Sequence, residues 1–138
     1  EWYRSTLSKS ISEKIYAGQK VLWSGGYYMT AGHTIKLSEK ISEQYKGIVL
    51  VFSAITDGTV GDYWWHHFFV PKYIVADSPG SGHCFTMSAG NFSLVAMKYL
   101  LIKDAEITGH DNNNLTGTAA SGITFSNARF VLRSVLGV

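Results

Sequence analysis

From Lys20 onward, short runs of apolar residues alternate with clusters of Gly, Asn, Asp and Ser. Runs of this length bounded by turn-forming residues are typical of β-strands. The pattern predicts strands at Lys20–Trp23, Tyr27–Thr30, His33–Leu37, Ile48–Ile55, Tyr63–Val70, Tyr73–Val75, His83–Ser88, Ser93–Ile102, Glu106–Thr108, Ile123–Phe125 and Arg129–Leu136. It predicts turns at Ser24–Gly26, Ala31–Gly32, Asp57–Gly58, Ser78–Gly82, Gly90–Asn91 and Asp111–Asn114. Many short strands at near-regular spacing predict an all-β fold, an antiparallel β-sandwich or jelly roll.

The stretch Trp2–Gln19 has a different pattern. Leu7, Ile11 and Ile15 recur at a constant helical spacing with Ser, Lys and Glu between them, which indicates one apolar face of a helix. The stretch is short and rich in Ser, so such a helix would be marginal on its own, and a strand or a connector is the alternative. Because the chain starts at Glu1 without Met, we expect it to be a fragment of a longer protein.

Several predicted strands are apolar at consecutive positions. Ile48–Phe52, Tyr99–Ile102 and Phe130–Leu132 contain no polar residue that would mark a solvent-facing side, apart from the hydroxyl of the tyrosine. A strand with one exposed face alternates apolar and polar residues, because successive side chains point to opposite faces of the sheet. Both faces of these strands must therefore be covered. Packing between subunits is the more economical explanation and predicts a homo-oligomer, whereas loops over the outer face are the alternative.

Composition restricts the possible partners. The chain has 138 residues, 46% of them apolar and 14% aromatic, which suits one soluble domain with its own core. The formal net charge is +2 without a dense Lys/Arg cluster, so we expect no nucleic-acid partner. The apolar runs reach about five residues, too few to span a bilayer, so we expect no membrane insertion. The single cysteine, Cys84, excludes an internal disulfide, and its neighbours lack the spacing of zinc ligands.

The sequence contains no convincing catalytic or metal-binding pattern. GxSxG, HExxH and phosphate-loop motifs are absent. The adjacent His66 and His67 would point to opposite faces of a strand, so they could not readily share one ion. Asp57 and Asp62 could in principle form a carboxylate pair for glycoside cleavage, but any protein of this size offers such pairs. We therefore expect a protein that binds its ligand, with no catalytic residue, no metal and no cofactor.

The segment Asp62–Phe69 concentrates aromatic residues. Strand alternation places Tyr63, Trp65, His67 and Phe69 on one face and Trp64, His66 and Phe68 on the other. One face belongs to the core, and the other could present an indole and an imidazole to a sugar, whose apolar face stacks on aromatic rings. The residues predicted to bind a ligand here are Asp62, Trp64 and His66. The alternative is that both faces are buried, one in the core and one between subunits.

A second candidate is the polar segment Gly109–Asn114. Amide and carboxylate side chains donate and accept hydrogen bonds, which suits a ligand with many hydroxyl groups. The residues predicted to bind a ligand here are His110, Asp111, Asn113 and Asn114. Because Asn and Asp also form turns for purely structural reasons, an ordinary turn is the alternative.

Five segments of the chain resemble a known family. These are VLWSGGYYMT (Val21–Thr30), TIKLSEKISEQYKGIVLVFS (Thr34–Ser53), FVPK (Phe69–Lys72), ITGHDNNN (Ile107–Asn114) and RFVLRSVLGV (Arg129–Val138). In this order they are similar to the C-terminal domain of tail-fibre or baseplate receptor-binding proteins of phages that infect Gram-positive bacteria. The resemblance is a pattern of turns, hydrophobic runs and chain ending, and it contains no diagnostic catalytic motif.

This resemblance implies a β-sandwich head, residues 20–138, on a homotrimer at the distal end of a phage tail. Residues 1–19 would be the neck that joins the head to an upstream stem. The domain would belong to the virion, contact other tail or baseplate proteins, and bind a bacterial surface glycan such as wall teichoic acid or a surface polysaccharide. Two alternatives stay open: a purely structural trimerising tip and, less favoured, a glycan-degrading enzyme. The site residues given above rest on the residue patterns and are not carried over from the family.

Overall fold

The computed structural model describes residues 20–77, 80–91 and 93–138. The helix or connector predicted for residues 2–19 lies outside these residues, as does part of the turn predicted at 78–82. The described chain forms an all-β sandwich of two sheets, which confirms the predicted fold class.

Sheet I is built around its longest strand. Its members are β1 (Lys20–Tyr27), β3 (Gly47–Thr56), β4 (Thr59–Val60), β5 (His66–Pro71) and β11 (Phe130–Gly137). One edge of β3 pairs with β11, which in turn pairs with β1, and the other edge pairs with β4 and β5, all antiparallel. The predicted turn Asp57–Gly58 joins β3 to β4, with φ of 51° and 78°, as a tight two-residue hairpin requires.

Sheet II leaves a gap along one edge of its central strand. Its members are β2 (Thr34–Lys36), β6 (Gly82–Ser88), β7 (Val95–Ile102), β8 (Glu106–Thr108), β9 (Thr116–Thr118) and β10 (Thr124–Ser126). Strand β6 pairs with β7 along its full length. On the opposite edge of β7, β8 pairs at Leu101 and Ile102, and β10 pairs in parallel at Val95. The backbone between these two contacts must find other partners.

Four short helical segments connect the strands in the described part of the chain. They are the 3-10 turns η1 (Ile41–Glu43), η2 (Asp111–Asn114) and η3 (Asn127–Arg129), and the helix α1 (Tyr73–Asp77). The strand predicted at Tyr73–Val75 is wrong, because these residues form α1. Pro71 ends β5, the amide of Lys72 donates to the carbonyl of Lys46, and the chain then turns to bury Val75.

Other local predictions also need correction. The predicted turn Ser24–Gly26 lies inside β1, where an irregular pairing with β11 accommodates the two glycines. The predicted strand Tyr27–Thr30 ends at its first residue, because Met29 takes a left-handed backbone with φ of 62°. The pattern of apolar runs missed β4 and β9, which are short and exposed and therefore carry no buried face to detect.

The core lies between the two sheets. Alternate residues of β3, Ile48, Leu50 and Phe52, are fully buried and face inward. From the opposite sheet, the ring of Phe85 approaches Phe52 and Phe68 with centroid distances of 6.4 and 5.1 Å. Buried residues from the inner faces of both sheets form one continuous hydrophobic cluster, which is the core of the domain.

The outer face of sheet I explains part of the two-sided apolar pattern. At one end of this face Val51 and Ser53 are buried, and Arg133 contacts Ser53 Oγ together with Asp62 and Trp65 of chain segment 61–65. At the other end lies a row of apolar cross-strand neighbours, of which Val21 is 62% and Phe69 53% exposed, while Val49 and Leu136 between them are half-buried. A loop thus covers one end of the face, and the oligomer expected for the rest stays a prediction.

Candidate functional site

Trp64 lies just before β5, and its side chain turns inward. Its backbone is left-handed, with φ of 56°, so the strand predicted from Tyr63 begins only at His66. The indole packs against the core 6.1 Å from the ring of Phe130, and the guanidinium of Arg129 lies 5.1 Å from its centre. The prediction that Trp64 offers an exposed platform is therefore corrected, because its ring is half-buried and packs against the core. A strained backbone at a large residue persists when its surroundings stabilise it.

His66 also serves the interior. Its Nδ1 donates to the carbonyl of Trp64 at 2.9 Å, and its Nε2 accepts from the amide of Ser88 at 3.3 Å. The ring stands edge-on to Phe130 at 5.1 Å. These two hydrogen bonds tie the start of β5 to β6. The ligand-binding role predicted for His66 is corrected to a bridge between the two sheets.

The exposed rings of this segment belong to the opposite face. Trp65, His67 and Phe69 lie on the outer face of sheet I, and we call these three residues the outer platform. The indole of Trp65 is 42% exposed and lies 6.4 Å from the imidazole of His67, with 20° between the ring planes. Strand alternation predicted this grouping of rings but did not identify which group faces solvent.

An ion pair borders the outer platform. Arg133 Nη1 donates to Asp62 Oδ1 at 2.9 Å and to Ser53 Oγ at 2.8 Å, and its guanidinium lies 5.0 Å from the centre of the Trp65 ring. This stacking holds the indole in place. The carboxylate of Asp62 is 79% exposed, so this predicted site residue does lie at the surface beside an aromatic ring. Arg133 was missed, although a lone arginine within the apolar run Phe130–Leu136 marks a break in the outer face.

Asn113 lies in the interior. Its side chain has no exposed surface and fills the gap along β7: Oδ1 accepts from the amide of Tyr99 at 2.6 Å, and Nδ2 donates to the carbonyls of Tyr99 and Met29. Asn127 fills the next position, where its Oδ1 accepts from the amide of Met97 at 2.7 Å. The ligand-binding role predicted for Asn113 is therefore corrected, because its amide replaces a missing strand.

A buried lysine lies beneath the same turn and was missed by the sequence analysis. Lys98 has no exposed surface, and its Nζ donates to the carbonyls of Tyr28 at 2.9 Å and Asn113 at 2.7 Å. Burial lowers the pKa of its ammonium group to about 7. Its position in the alternation of β7, between the buried Ala96 and Leu100, is the feature of the sequence that places it in the core.

The rest of the polar segment stays accessible. His110 is half-buried, its Nδ1 accepts from the amide of Asn112 at 3.1 Å, and its ring meets that of Tyr99 at 5.1 Å. Asp111 and Asn114 are exposed, as predicted. The turn η2 belongs to the edge of sheet II, whereas the outer platform lies on sheet I. The two predicted halves of one site are linked through η3, whose Arg129 contacts Trp64 and whose Asn127 donates to the carbonyl of Asn112.

Within residues 20–77, 80–91 and 93–138, no group of three or more His, Cys, Asp and Glu side chains is arranged to hold a metal ion. None of the helices in these ranges has the length and apolar character needed to cross a membrane.

No protein-family model matches the chain, and no curated protein matches it significantly.

Proposed function

We propose that this domain binds a saccharide of the bacterial surface at the outer platform and leaves it chemically unchanged. The observation that carries the proposal is the exposed indole of Trp65 beside the Asp62–Arg133 pair. Sugar rings have apolar faces that stack on indoles and polar edges that need directional hydrogen bonds. A carboxylate, a guanidinium and the imidazole of His67 offer acceptors and donors next to the stacking surface.

The platform is held in place before a ligand arrives. Arg133 is anchored by Ser53 Oγ, by Asp62 and by the face of the Trp65 ring, so the indole does not need to be immobilised on binding. Ordering a free side chain costs about 0.5–1.5 kcal/mol, a large share of the affinity of a weak sugar site. The anchoring therefore favours a binding role over a chance exposure of an aromatic residue.

The test is binding of the purified chain to isolated Gram-positive cell walls. Trp65→Ala should reduce the bound fraction about tenfold or more, because the stacking surface is lost. Tyr45→Ala is the matched control. Tyr45 is 79% exposed and lies just before the first residue of β3, and its removal should leave binding unchanged. Equal binding by Trp65→Ala and the wild type would place the site elsewhere.

The wider setting follows from the resemblance described above. The domain would be the receptor-binding head of a homotrimer at a phage tail tip or baseplate and would adsorb the virion to its host. Three weak sites on one rigid trimer raise the effective concentration of the second and third contacts. The apolar row Val21, Leu136, Val49 and Phe69 supports self-association, since apolar side chains on an outer sheet face favour burial.

A structural tip of a tail fibre is the second candidate function, and the same apolar row supports it. Light scattering of the purified chain should show a trimer, and Val21→Glu, a change in the apolar row but outside the outer platform, should shift it towards the monomer. A trimer in which Trp65 becomes protected from solvent, together with no cell-wall binding, would favour the structural tip. Release of reducing ends or phosphate from cell walls, lost on changing one carboxylate, would instead favour an enzyme.

A further inference from the structure

The turn η2 is fixed from below by three buried polar side chains. Asn113 binds the backbone of Tyr99 and Met29, Asn127 binds the carbonyl of Asn112, and Lys98 binds the carbonyl of Asn113. Among the described residues, no buried side-chain nitrogen or oxygen lacks a hydrogen-bond partner. Fully satisfied buried networks of this kind make a surface segment rigid.

The outer side of η2 has the opposite character. Asp111, Asn112 and Asn114 are exposed, and within the described part of the chain their side-chain atoms have no hydrogen-bond partner. The fixed backbone of η2 holds these donors and acceptors at set positions, so that only their side chains need to be ordered when a polar ligand binds.

An aromatic ring adjoins this turn. Tyr99 points to the outer face of sheet II, and its ring rests on Gly82, where an added Cβ would lie 2.0 Å from the tyrosine Oη. The ring of His110 meets it edge-on at 5.1 Å and 80°, so the ring and the turn form one surface. The structure thus places a second flat ring beside a second set of polar groups, on the other sheet from Trp65.

We propose that Tyr99, His110, Asp111 and Asn114 form a second saccharide-binding subsite, separate from the outer platform. The inference rests on the proposed function, since it takes the ligand to be a saccharide. The subsite takes an uncharged sugar unit: the carboxylate of Asp111 and the amides bind hydroxyl groups, and the exposed surface of η2 has no cationic side chain to attract a phosphate.

The experiment is an NMR titration of the complete chain, following backbone amides, with N-acetylglucosamine and glucose as uncharged probes and glycerol phosphate as the anionic probe. The uncharged probes should shift the amides of Tyr99 and residues 110–114. Asp111→Ala combined with Asn114→Ala should weaken that response about tenfold, since two hydrogen bonds to the sugar are removed. Both changes are at exposed positions, so the melting temperature should not move.

The outcomes separate the second subsite from the proposed function. Shifts at η2 that survive Trp65→Ala and are lost in the double variant support the subsite. Shifts confined to residues 62–69 would overturn the subsite and leave the proposed function standing. An η2 response to glycerol phosphate alone would overturn the assignment to an uncharged sugar. No response anywhere at 100 mM of each probe, about the weakest affinity such small ligands show, would overturn both.

Discussion

In both the aromatic segment Trp64–Phe69 and the polar turn Asp111–Asn114, neighbouring residues of similar type have different roles, one set in the interior and one at the surface. The two regions reach this division by different means. In the first, a left-handed residue followed by strand alternation sends Trp64 and His66 inward and Trp65 and His67 outward. In the second, the unpaired edge of β7 draws Asn113 inward and leaves Asn114 at the surface. A cluster of suitable residues therefore does not by itself identify the binding group, because unpaired backbone amides and carbonyls bind some of these side chains inside the fold.

The largest expected effect is at the asparagine pair. Asn113→Ala should destabilise the domain by about 3–4 kcal/mol, since it leaves both the amide and the carbonyl of Tyr99 unpaired in the interior. Asn114→Ala, one residue away and exposed, should change stability by less than about 0.5 kcal/mol. Urea unfolding followed by circular dichroism measures both. If Asn113→Ala lost less than about 1 kcal/mol, Asn113 would not be acting as the missing strand.

The tryptophan pair should show a smaller contrast of the same kind. Trp64→Ala should cost about 2–3 kcal/mol, because a half-buried indole packed on Phe130 and Arg129 is removed. Trp65→Ala loses mainly its stacking on Arg133, which is worth about 1 kcal/mol or less. Thermal unfolding of the two variants compares them directly. The reverse order of stability would mean that the inward and outward assignments are exchanged.

Sequence patterns predicted the fold class but could not show which side chains of these two segments face the interior. Alternation grouped the rings of β5 correctly, yet which group faces the core depends on contacts with β6 that are distant in the sequence. Asn113 could not be recognised as structural, because the gap it fills arises from where β8 and β10 stop along β7. The helix α1 was missed since its apolar residues resemble a short strand, and only Pro71 indicates a break.

The free energy of unfolding should depend on pH through Lys98, which lies beneath the polar turn. Burial lowers the pKa of its ammonium group in the folded state to about 7, below its ordinary value in the unfolded chain. Between these two values the unfolded state binds more protons, so the free energy of unfolding should rise with pH from 7 to 10, by at most about 1.4 kcal/mol per pH unit. Denaturant titrations at several pH values measure this slope.

Lys98→Met is the control for that slope. Met has a similar length and no titratable group, so the variant should lose most of the rise between pH 7 and 10. Its stability at pH 10 should fall, because two carbonyls lose their donor. A variant with the same pH slope as the wild type would show that other groups cause it.

The smallest expected effect concerns the support of the outer platform. Arg133→Lys keeps the positive charge but loses the planar stacking on Trp65 and the geometry of its hydrogen bonds to Ser53 and Asp62. Cell-wall binding should weaken about threefold, equivalent to about 0.7 kcal/mol, with little change in melting temperature. A loss as large as that of Trp65→Ala would indicate that Arg133 contacts the ligand itself.

The most direct test of saccharide binding at the outer platform is to follow the indole N–H signals of Trp64 and Trp65 by NMR while a cell-wall saccharide is added. Substitution of each tryptophan by Phe assigns the two signals. We expect the Trp65 signal to move progressively to saturation while the Trp64 signal stays in place, because of these two rings only that of Trp65 lies on the outer face of sheet I. Movement of the Trp64 signal with an unchanged Trp65 signal would contradict binding at the outer platform and would place the site on the opposite face of the segment.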